Sequence, residues 1–486
     1  MKFLTIILIS LAAIANSLGQ ENKSKGLAEV KNIGSNRELF VDYYLIDTMV
    51  NSRLELHHPI DEGPVMYFDK PWEGQFSAYC TMLKDSNLCR LYYRGIPIVG
   101  SDGNSHEVTC YAESEDGIIW QKPELGIFEI DGSRKNNVIL ANAAPVTHNF
   151  SPFIDANPEV PAKQKYKALG GTEKSGLIAF TSSDGIHWEK LGEEPVITDG
   201  KFDSQNVAFW SESEKCYVSY FRIWTEQGYS GFRSVGRATS TDFVNWTPTE
   251  PMTFGNTPLQ HLYTNQTHPY FRAPQIYVAV AARFMPGRQV IGDEEAQILN
   301  VNPKYYKDCS DAVFMTSRGG NVYDRTFMQG FITPGIGLNN WVSRTNYPAL
   351  NVVQTGATEM SVYVNQDYAQ PTAHVHRYSL RLDGFSSLYA GFDGGEMLTK
   401  SFTFNGEKLI LNFSTSAAGG IRIEITDADG KAIKGFSGGD CIEVIGNEIE
   451  KEVTWKDNPD LKSLAGQQVR LRFFMNDSHV YSFQFQ

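Results

Sequence analysis

Short runs of alternating apolar and polar residues dominate the chain, and turns rich in Gly, Asp and Asn separate them. This alternation is typical of β-strands that bury one face. The first such runs lie at 37–47 (RELFVDYYLID) and 54–58. Long amphipathic helical patterns are scarce and aromatic residues are frequent, so the sequence predicts an all-β protein.

One turn motif recurs just before the last strand of successive strand groups. It reads SSDGIHW at 182–188, SEDGIIW at 114–120 and STDFVNW at 240–246, with weaker copies at 317–323 and 381–385. Asp can bond its own downstream backbone and Gly accepts a positive φ. Because the motif is repeated, we interpret it as scaffold rather than as catalytic machinery.

The repeat implies units of one supersecondary element each, about 60 to 80 residues apart. Five four-stranded units closing around an axis predict a five-bladed β-propeller at 37–395, preceded by a polar lead-in at 20–36. A solenoid or a pair of β-sandwiches is the alternative, but neither explains the recurring turn as well. After residue 395 the turn disappears, and the strands at 396–486 predict a separate β-sandwich of immunoglobulin-like size.

The N-terminus has the pattern of a secretory signal peptide. Lys2 is followed by an apolar run at 3–14, and the small residues around Ser17 and Gly19 fit a cleavage site. The expected location is therefore periplasmic or secreted, with a membrane anchor as the alternative. No later run is long and apolar enough to span a membrane.

Charge and cysteine content narrow the function class. The formal net charge is −13 and no cluster of Lys and Arg occurs, which argues against a nucleic-acid partner. The six cysteines are scattered without metal-site spacing. Cys80 and Cys89 flank a short turn and could pair, although buried free thiols are the favoured interpretation. The oligomeric state is not predicted.

The candidate site follows from propeller geometry. The first strand of each blade starts at one face of the channel, where the loops between second and third strands also lie, so their polar side chains converge. Carboxylates, amides, imidazole and guanidinium groups together suit a polyhydroxylated ligand. The candidates are Glu73, Arg94, Glu107, His148, Asn149, Asp203, Gln205, Asn206, Arg222, Tyr263, Asn265, Arg283, Asp311 and Arg344.

These patterns resemble the five-bladed-propeller glycoside hydrolases, the superfamily of glycoside hydrolase families 32, 43 and 117, and especially bacterial proteins labelled glycosyl hydrolase family 32 N-terminal-like. The resemblance is carried by RELFVDYYLID, PWEG, CYAESEDGIIW, HNFSPFID, FDSQN, HLYTNQTHPYFRAP and RYSLRLDGFSSL. It implies one carboxylate as base or nucleophile, a second as general acid and a third that holds substrate. The family 32 motifs Trp-Met-Asn-Asp-Pro, Arg-Asp-Pro and Glu-Cys are absent, so no catalytic residue is carried over from them.

The leading hypothesis is an exo-acting glycoside hydrolase that removes a terminal sugar from an oligo- or polysaccharide. Asp203 and Glu73 are the expected catalytic pair, with Glu107 and Asp311 as substitutes, and one carboxyl must have a raised pKa to act as the acid. The other candidates are expected to bind substrate. The arginines among them suit a uronic acid or a sulfated sugar.

Two alternatives remain open at the sequence level. The first is a carbohydrate-binding propeller without chemistry. The second is a lyase or a sialidase-like enzyme, for which Tyr263, Arg283 and Arg344 would supply a tyrosine and arginines. No cofactor is expected to be required, and the oxygen-rich strand starts leave room for a structural Ca²⁺ in the channel.

Overall fold

The computed structural model describes residues 30–98, 103–457 and 459–486. The predicted signal peptide lies outside these residues. Before the first blade the chain forms β1 (Lys31–Gly34), β2 (Glu38–Leu39), β3 (Ile46–Val50), β4 (Ser52–Leu56) and β5 (Ile60–Tyr67).

Five small antiparallel sheets follow, one for each blade, and they confirm the predicted five-bladed propeller. Blade one contains β6 (Ala78–Asp85), β7 (Leu88–Gly95), β8 (Val108–Ser114) and β9 (Val138–Leu140). Blade two contains β10 (Ser151–Ile154), β11 (Tyr166–Thr172), β12 (Gly176–Ser182) and β13 (Glu189–Lys190), with a 3-10 helix at Ala162–Gln164. Blade three contains β14 (Val207–Ser211), β15 (Cys216–Trp224), β16 (Arg233–Ser240) and β17 (Glu250–Pro251).

The last two blades are less regular. Blade four contains β18 (His261–Thr264), β19 (Thr267–Tyr270), β20 (Ala273–Met285), β21 (Cys309–Ser317) and β22 (Gly330–Ile332), and the insertion between β20 and β21 carries helix α1 (Asp293–Ile298). Blade five contains β23 (Tyr347–Pro348), β24 (Val353–Gln354), β25 (Glu359–Gln366) and β26 (His374–Arg381).

Blade five takes its outermost strand from the other end of the propeller. Strand β5 pairs antiparallel with β26, so residues that precede blade one complete blade five and close the ring. The sequence alone did not predict that β5 belongs to this blade. An alternating run predicts a strand but does not name its partner, and the register of this closure is a long-range property.

The predicted β-sheet region after residue 395 is confirmed, but it also recruits the N-terminal strands. Strands β2, β3 and β4 pair with C-terminal strands, and β1 pairs parallel with β29. The predicted propeller began at residue 37 and the predicted lead-in was loose, whereas the strands between 31 and 56 pair with this region. Its strands are β27 (Ser386–Ala390), β28 (Gly395–Thr399), β29 (Phe402–Phe404), β30 (Leu409–Thr426), β31 (Asn447–Val453) and β32 (Arg470–Phe485), with a 3-10 helix at Leu461–Leu464.

The repeated turn is structural, as predicted. The Asp184 carboxylate accepts hydrogen bonds from the backbone amides of Ile186 (2.8 Å) and His187 (2.9 Å), and the Trp188 indole donates to the Gly185 carbonyl (3.1 Å). The preceding blade contacts the same turn through Arg90, which donates to the Asp184 carbonyl (2.7 Å). Each such turn therefore caps its own blade and joins it to a neighbour.

Cys80 and Cys89 are both buried and unpaired, which agrees with the favoured interpretation of free thiols. In the part of the chain that the structure describes, no helix has the length and apolar character needed to cross a membrane.

The propeller is tied to the C-terminal region by one buried carboxylate. Asp383 is fully buried and accepts hydrogen bonds from Arg272 Nε (3.0 Å) and from the hydroxyls of Tyr270 (2.8 Å) and Ser482 (2.6 Å). The guanidinium of Arg37, itself 4% exposed, lies 3.5 Å away. Tyr270 belongs to blade four and Ser482 to β32, so the carboxylate links both parts of the molecule.

We expect Asp383→Asn to lower the free energy of unfolding by about 3–5 kcal/mol, because it removes the buried carboxylate beside Arg37 and leaves that guanidinium only the exposed carboxylate of Glu450. Urea unfolding measures this change. The matched control is Glu450→Gln, since Glu450 contacts the same two arginines but is 52% exposed. The control should cost less than about 1 kcal/mol. Equal costs for the two variants would show that the buried carboxylate has no special role.

Candidate active site at one mouth of the channel

Two buried glutamines cross the central channel part-way along its length. Gln266 donates its side-chain amide to Gln205 (2.7 Å) and to the Pro348 carbonyl (2.6 Å). Gln205 in turn donates to the Thr81 hydroxyl (2.7 Å). These bonds connect the inner strands of blades one, three, four and five. We call the mouth at which the first strands start, on one side of these bonds, the pocket.

Three arginines surround one buried tyrosine at this mouth. The guanidinium carbons of Arg222, Arg233 and Arg344 lie 4.5, 5.2 and 5.7 Å from the ring centre of Tyr263, which is 4% exposed. Contacts of this kind between a cation and an aromatic face are attractive. We call Arg222, Arg233 and Arg344 the arginine trio.

The blades bring the trio together from separate parts of the chain. Arg222 and Arg233 lie near the facing ends of β15 and β16, where Arg222 pairs with Val235 and Trp224 with Arg233. Arg344 comes from the segment before β23, and Tyr263 lies on β18. The trio therefore depends on blades three, four and five being closed into a ring.

Several residues at this mouth have left-handed backbone conformations. The φ angles are +55° at Tyr79, +49° at Asn149, +61° at Arg344 and +59° at Asn346. Non-glycine residues in this region carry a conformational cost, and such positions concentrate at functional sites. These four backbone conformations occur at the same mouth as the arginine trio.

Carboxylates do not balance the charge of the trio. Asp203, whose side chain is 31% exposed, forms an ion pair with Arg222. Arg233 and Arg344 form no salt bridge with any residue of the described ranges, and Arg344 instead donates to the Tyr305 hydroxyl (3.3 Å). Arg222 is 3% exposed, yet its Nε and Nη1 have no hydrogen-bond partner among the described residues. The pocket therefore carries excess positive charge and unused donors.

This charge changes the acidity of the tyrosine it surrounds. Burial alone would raise the pKa of Tyr263, but the charges of Arg344, Arg222 and Arg233 outweigh burial and leave that pKa below its ordinary value. In contrast, burial raises the pKa of the neighbouring Tyr347 well above the ordinary value. The arginine neighbours therefore shift the pKa of Tyr263 in the opposite direction from that of Tyr347.

A buried polar chain supports the blade-one side of the pocket. Arg94 lies over the Tyr79 ring (4.7 Å) and donates to Asn149 (3.1 Å). Asn149 contacts His148 Nε2 (2.9 Å), and His148 Nδ1 contacts Glu107 (2.8 Å). Burial would raise the pKa of Glu107, but His148 and Arg94 overcome it and lower that pKa. Glu107 is therefore held as a carboxylate behind the pocket.

Three of the predicted residues do not converge on the pocket. Glu73 is fully buried and bonds Lys122 (2.8 Å) and the hydroxyl of Tyr93 (2.6 Å), the residue before Arg94. Adjacent strand residues point to opposite faces, so Glu73 lies on the face of β7 away from Arg94. The same alternation separates the ion pair of Arg283 and Asp311 from the pocket.

Arg283 Nε donates to Asp311 (2.8 Å) across β20 and β21. The next residue, Phe284, packs on Tyr263 with ring centres 5.5 Å apart, so Arg283 points the other way. The predicted grouping of Tyr263 with Arg283 is therefore replaced by the arginine trio.

Three predicted amide side chains form hydrogen bonds within the protein rather than facing the pocket. Gln205 bonds across the channel, as described above. Asn206 donates to the carbonyls of Phe202 (3.3 Å) and Ser204 (3.0 Å). Asn265 accepts from the amide of Thr267 (3.0 Å). These bonds shape the strand entries that position Asp203 and Tyr263.

The sequence analysis missed Arg233 and most of the aromatic lining. Arg233 is the first residue of the third strand of blade three. The rule for the loops between second and third strands applies to this position, but only Arg222 was predicted from this hairpin. The tyrosines gave no signal, because their alternating pattern is that of core residues. They are Tyr79, Tyr305, Tyr347 and Tyr368.

Within the described ranges, no group of three or more His, Cys, Asp or Glu side chains is arranged to hold a metal ion. The predicted channel Ca²⁺ thus gains no ligand cluster there and stays a prediction.

No protein-family model matches the chain, and no curated protein matches it. Among solved structures, one described as a glycoside hydrolase aligns with a TM-score of 0.45 and 11% identity over 67% of this chain and 92% of that chain. An N-acetylgalactosamine deacetylase from F. plautii, in complex with blood group B trisaccharide, aligns at 0.43 and 12% over 68% and 96%. A β-1,2-mannobiose phosphorylase from Listeria innocua aligns at 0.43 and 8% over 68% and 97%.

Glu73→Gln should destabilise the fold and leave substrate turnover unchanged, because the residue lies away from the pocket. We expect a loss of about 1–3 kcal/mol in unfolding free energy, since the charge that pairs with Lys122 disappears. Chemical denaturation and kcat measured on the same preparation test this. Asp69→Asn is the control: Asp69 also contacts Lys122 but is 59% exposed, and it should cost less than about 1 kcal/mol. If Glu73→Gln were as stable as the wild type but had lost turnover, Glu73 would have to be a residue of the active site.

Proposed function

We propose that this protein is an exo-acting glycoside hydrolase that removes a terminal anionic sugar from an oligo- or polysaccharide outside the cytoplasm. The observation that carries the proposal is the arginine trio around Tyr263, in which Arg233 and Arg344 lack a carboxylate partner among the described residues. The terminal sugar would carry a carboxylate or a sulfate. The export signal predicted at the N-terminus supports an extracytoplasmic substrate.

The trio suits an anion for reasons of charge and geometry. A guanidinium offers parallel N–H donors that match two oxygens of a carboxylate or sulfate. Arg222 already has buried donors without partners, and burial strengthens any charged hydrogen bond that they form. A neutral sugar would leave the positive charge of Arg233 and Arg344 uncompensated in the complex.

The shape of the mouth supports attack at a chain end. The hydrogen bond between Gln205 and Gln266 spans the channel below the pocket, and a glycan would therefore enter by its terminus. Beside the pocket a cavity of about 540 Å³ is lined by Trp224, Lys201 and Glu226. Arg233 stacks on Trp224 at 4.6 Å, so Trp224 connects the arginine trio to the lining of this cavity. The remaining sugar units would lie in this cavity.

Asp203 is the carboxylate placed to take part in the chemistry. It is partly exposed at the mouth, and its ion pair with Arg222 favours the ionised form. An ionised carboxylate next to the bound sugar can take a proton from an attacking water. We assign Asp203 the role of base.

Asp203→Asn should reduce kcat on the preferred substrate by roughly 10²–10⁴-fold, because the amide cannot accept the proton from water. The assay measures released sugar from a panel of glycans that end in uronic acids, sulfated sugars or neutral sugars. Asp311→Asn is the matched control, since Asp311 is also ion-paired with an arginine but lies on the other face of blade four. Binding of a glycan without turnover by the wild type would instead favour a carbohydrate-binding propeller.

Arg344→Gln tests the anionic group of the substrate. We expect KM for the anionic sugar to rise by about 10–100-fold, the equivalent of one lost charge-assisted hydrogen bond. The neutral form of the same sugar should be affected far less. Arg283→Gln, which removes an arginine outside the pocket, should change neither value. An equal rise for the charged and neutral sugars would refute anion recognition by the trio.

A further inference from the structure

We infer that Tyr263 is the proton donor of this site and that it protonates the glycosidic oxygen of the leaving group. The inference rests on the proposed hydrolase function and assigns its general acid, a role not yet given to any residue. It starts from the arginine trio, which packs against the Tyr263 ring at 4.5–5.7 Å.

Hydrolysis of a glycoside by direct attack of water needs a base and an acid in the same pocket. The described carboxylates at the mouth are poor acids. The carboxylate of Asp203 is engaged in an ion pair with Arg222, and His148 and Arg94 lower the pKa of Glu107. Glu73 and Asp311 lie outside the pocket. The acid must therefore be a different kind of group.

Tyr263 fulfils the physical requirements for that role. A general acid works best when its pKa lies near the operating pH, and an ordinary tyrosine is too weak an acid. At Tyr263, burial raises the pKa, but the trio more than offsets this and lowers it. The trio also faces the phenolate that proton donation would produce, so the charge that develops during the reaction is stabilised where it forms.

The groups that face Tyr263 come from several elements, and the ring contacts found among the described residues are to arginines and aromatic side chains. Arg222 on β15 carries the counter-charge of Asp203, whereas Arg233 on β16 and Arg344 before β23 carry none. Phe284 of β20 packs on the ring at 5.5 Å and Tyr347 of β23 at 5.1 Å. Tyr79 of β6 belongs to the same cluster, and burial raises its pKa well above the ordinary value.

Asp203 takes a proton from water while the water oxygen bonds to the anomeric carbon. The bond from that carbon to the glycosidic oxygen breaks, its electron pair stays on the oxygen, and the Tyr263 hydroxyl supplies the proton for it. Tyr263 is left as a phenolate and Asp203 as a carboxylic acid. One proton passing from Asp203 to Tyr263 through solvent restores both groups.

Tyr263→Phe keeps the ring on which the arginines stack and removes the proton. On a glycoside with an alcohol or sugar leaving group, kcat should fall by about 10²–10⁴-fold. On the matching nitrophenyl glycoside, whose leaving group departs without a proton, the fall should be less than about tenfold, because acid catalysis is then unnecessary. Asp203→Asn should instead slow both substrates.

The outcomes separate this inference from the proposed function. If the wild type is active and Tyr263→Phe slows both substrates equally, or neither, Tyr263 is not the proton donor and the hydrolase assignment stands. If the wild type hydrolyses nothing on the panel, the proposed function fails and this role fails with it.

The pH profile provides a second readout. The acid must be protonated, so kcat/KM should fall as pH rises through the pKa of Tyr263. Arg233→Gln removes a positive charge, which raises that pKa, and the falling limb should therefore move to higher pH. An unchanged limb would overturn the role of Tyr263.

Tyrosinate absorbance tests the ionisation without any substrate. During an alkaline titration of the wild type, one tyrosine should ionise before the others. That early signal should be absent in Tyr263→Phe and retained in Tyr347→Phe and Tyr79→Phe. Its loss in either of the latter two, rather than in Tyr263→Phe, would contradict the inference.

Discussion

Side chains of one blade contact the repeated turn of the next blade. These contacts fix the blades relative to one another, and the positions of the pocket residues depend on them. Arg90 of blade one bonds the turn of blade two (2.7 Å), and Tyr363 of blade five bonds the turn of blade one (2.6 Å). The third turn carries Phe243 at φ +68°, where the other two carry Gly117 and Gly185. Its ring packs on Phe153 of blade two (5.5 Å). Because strand β5 then closes the last blade, the five inner strands meet in one fixed arrangement.

A fixed frame is what allows like charges to be held together. Three guanidinium groups around one ring repel each other, and in a flexible loop they would separate. Here Arg222 and Arg233 lie on paired strands, and Arg344 is held by a left-handed backbone conformation and by the hydroxyl of Tyr305. Each stacking contact with an aromatic face offsets part of the repulsion, by about 0.5–2 kcal/mol. The remaining imbalance is what an anionic ligand would relieve.

Much of the fold was predictable because it is local. The Ser, Asp and Trp positions of the turn mark the end of a blade whichever strands pair with each other. The alternation of apolar and polar residues marks the strands themselves. Ring closure by β5 and the pairing of β2 to β4 with the C-terminal region were not predictable, since they join segments hundreds of residues apart. The strand-start rule named Asp203, Tyr263 and Arg344, and the rule for loops between second and third strands named Arg222; these four lie together at one mouth. Glu73 and Arg283, named by the same two rules, lie on the other face of their blades, because one step along a strand reverses the face.

The arginine trio connects substrate choice to acidity. Positive charge favours the ionised form of a carboxyl group beside it, so a carboxylic acid would be a poor proton donor next to the trio. A phenol has the opposite problem, since it is too weak an acid until positive charge lowers its pKa. In the proposed mechanism the trio would serve both purposes, since the same positive charge would hold the anion of the substrate and stabilise the phenolate that proton transfer leaves behind.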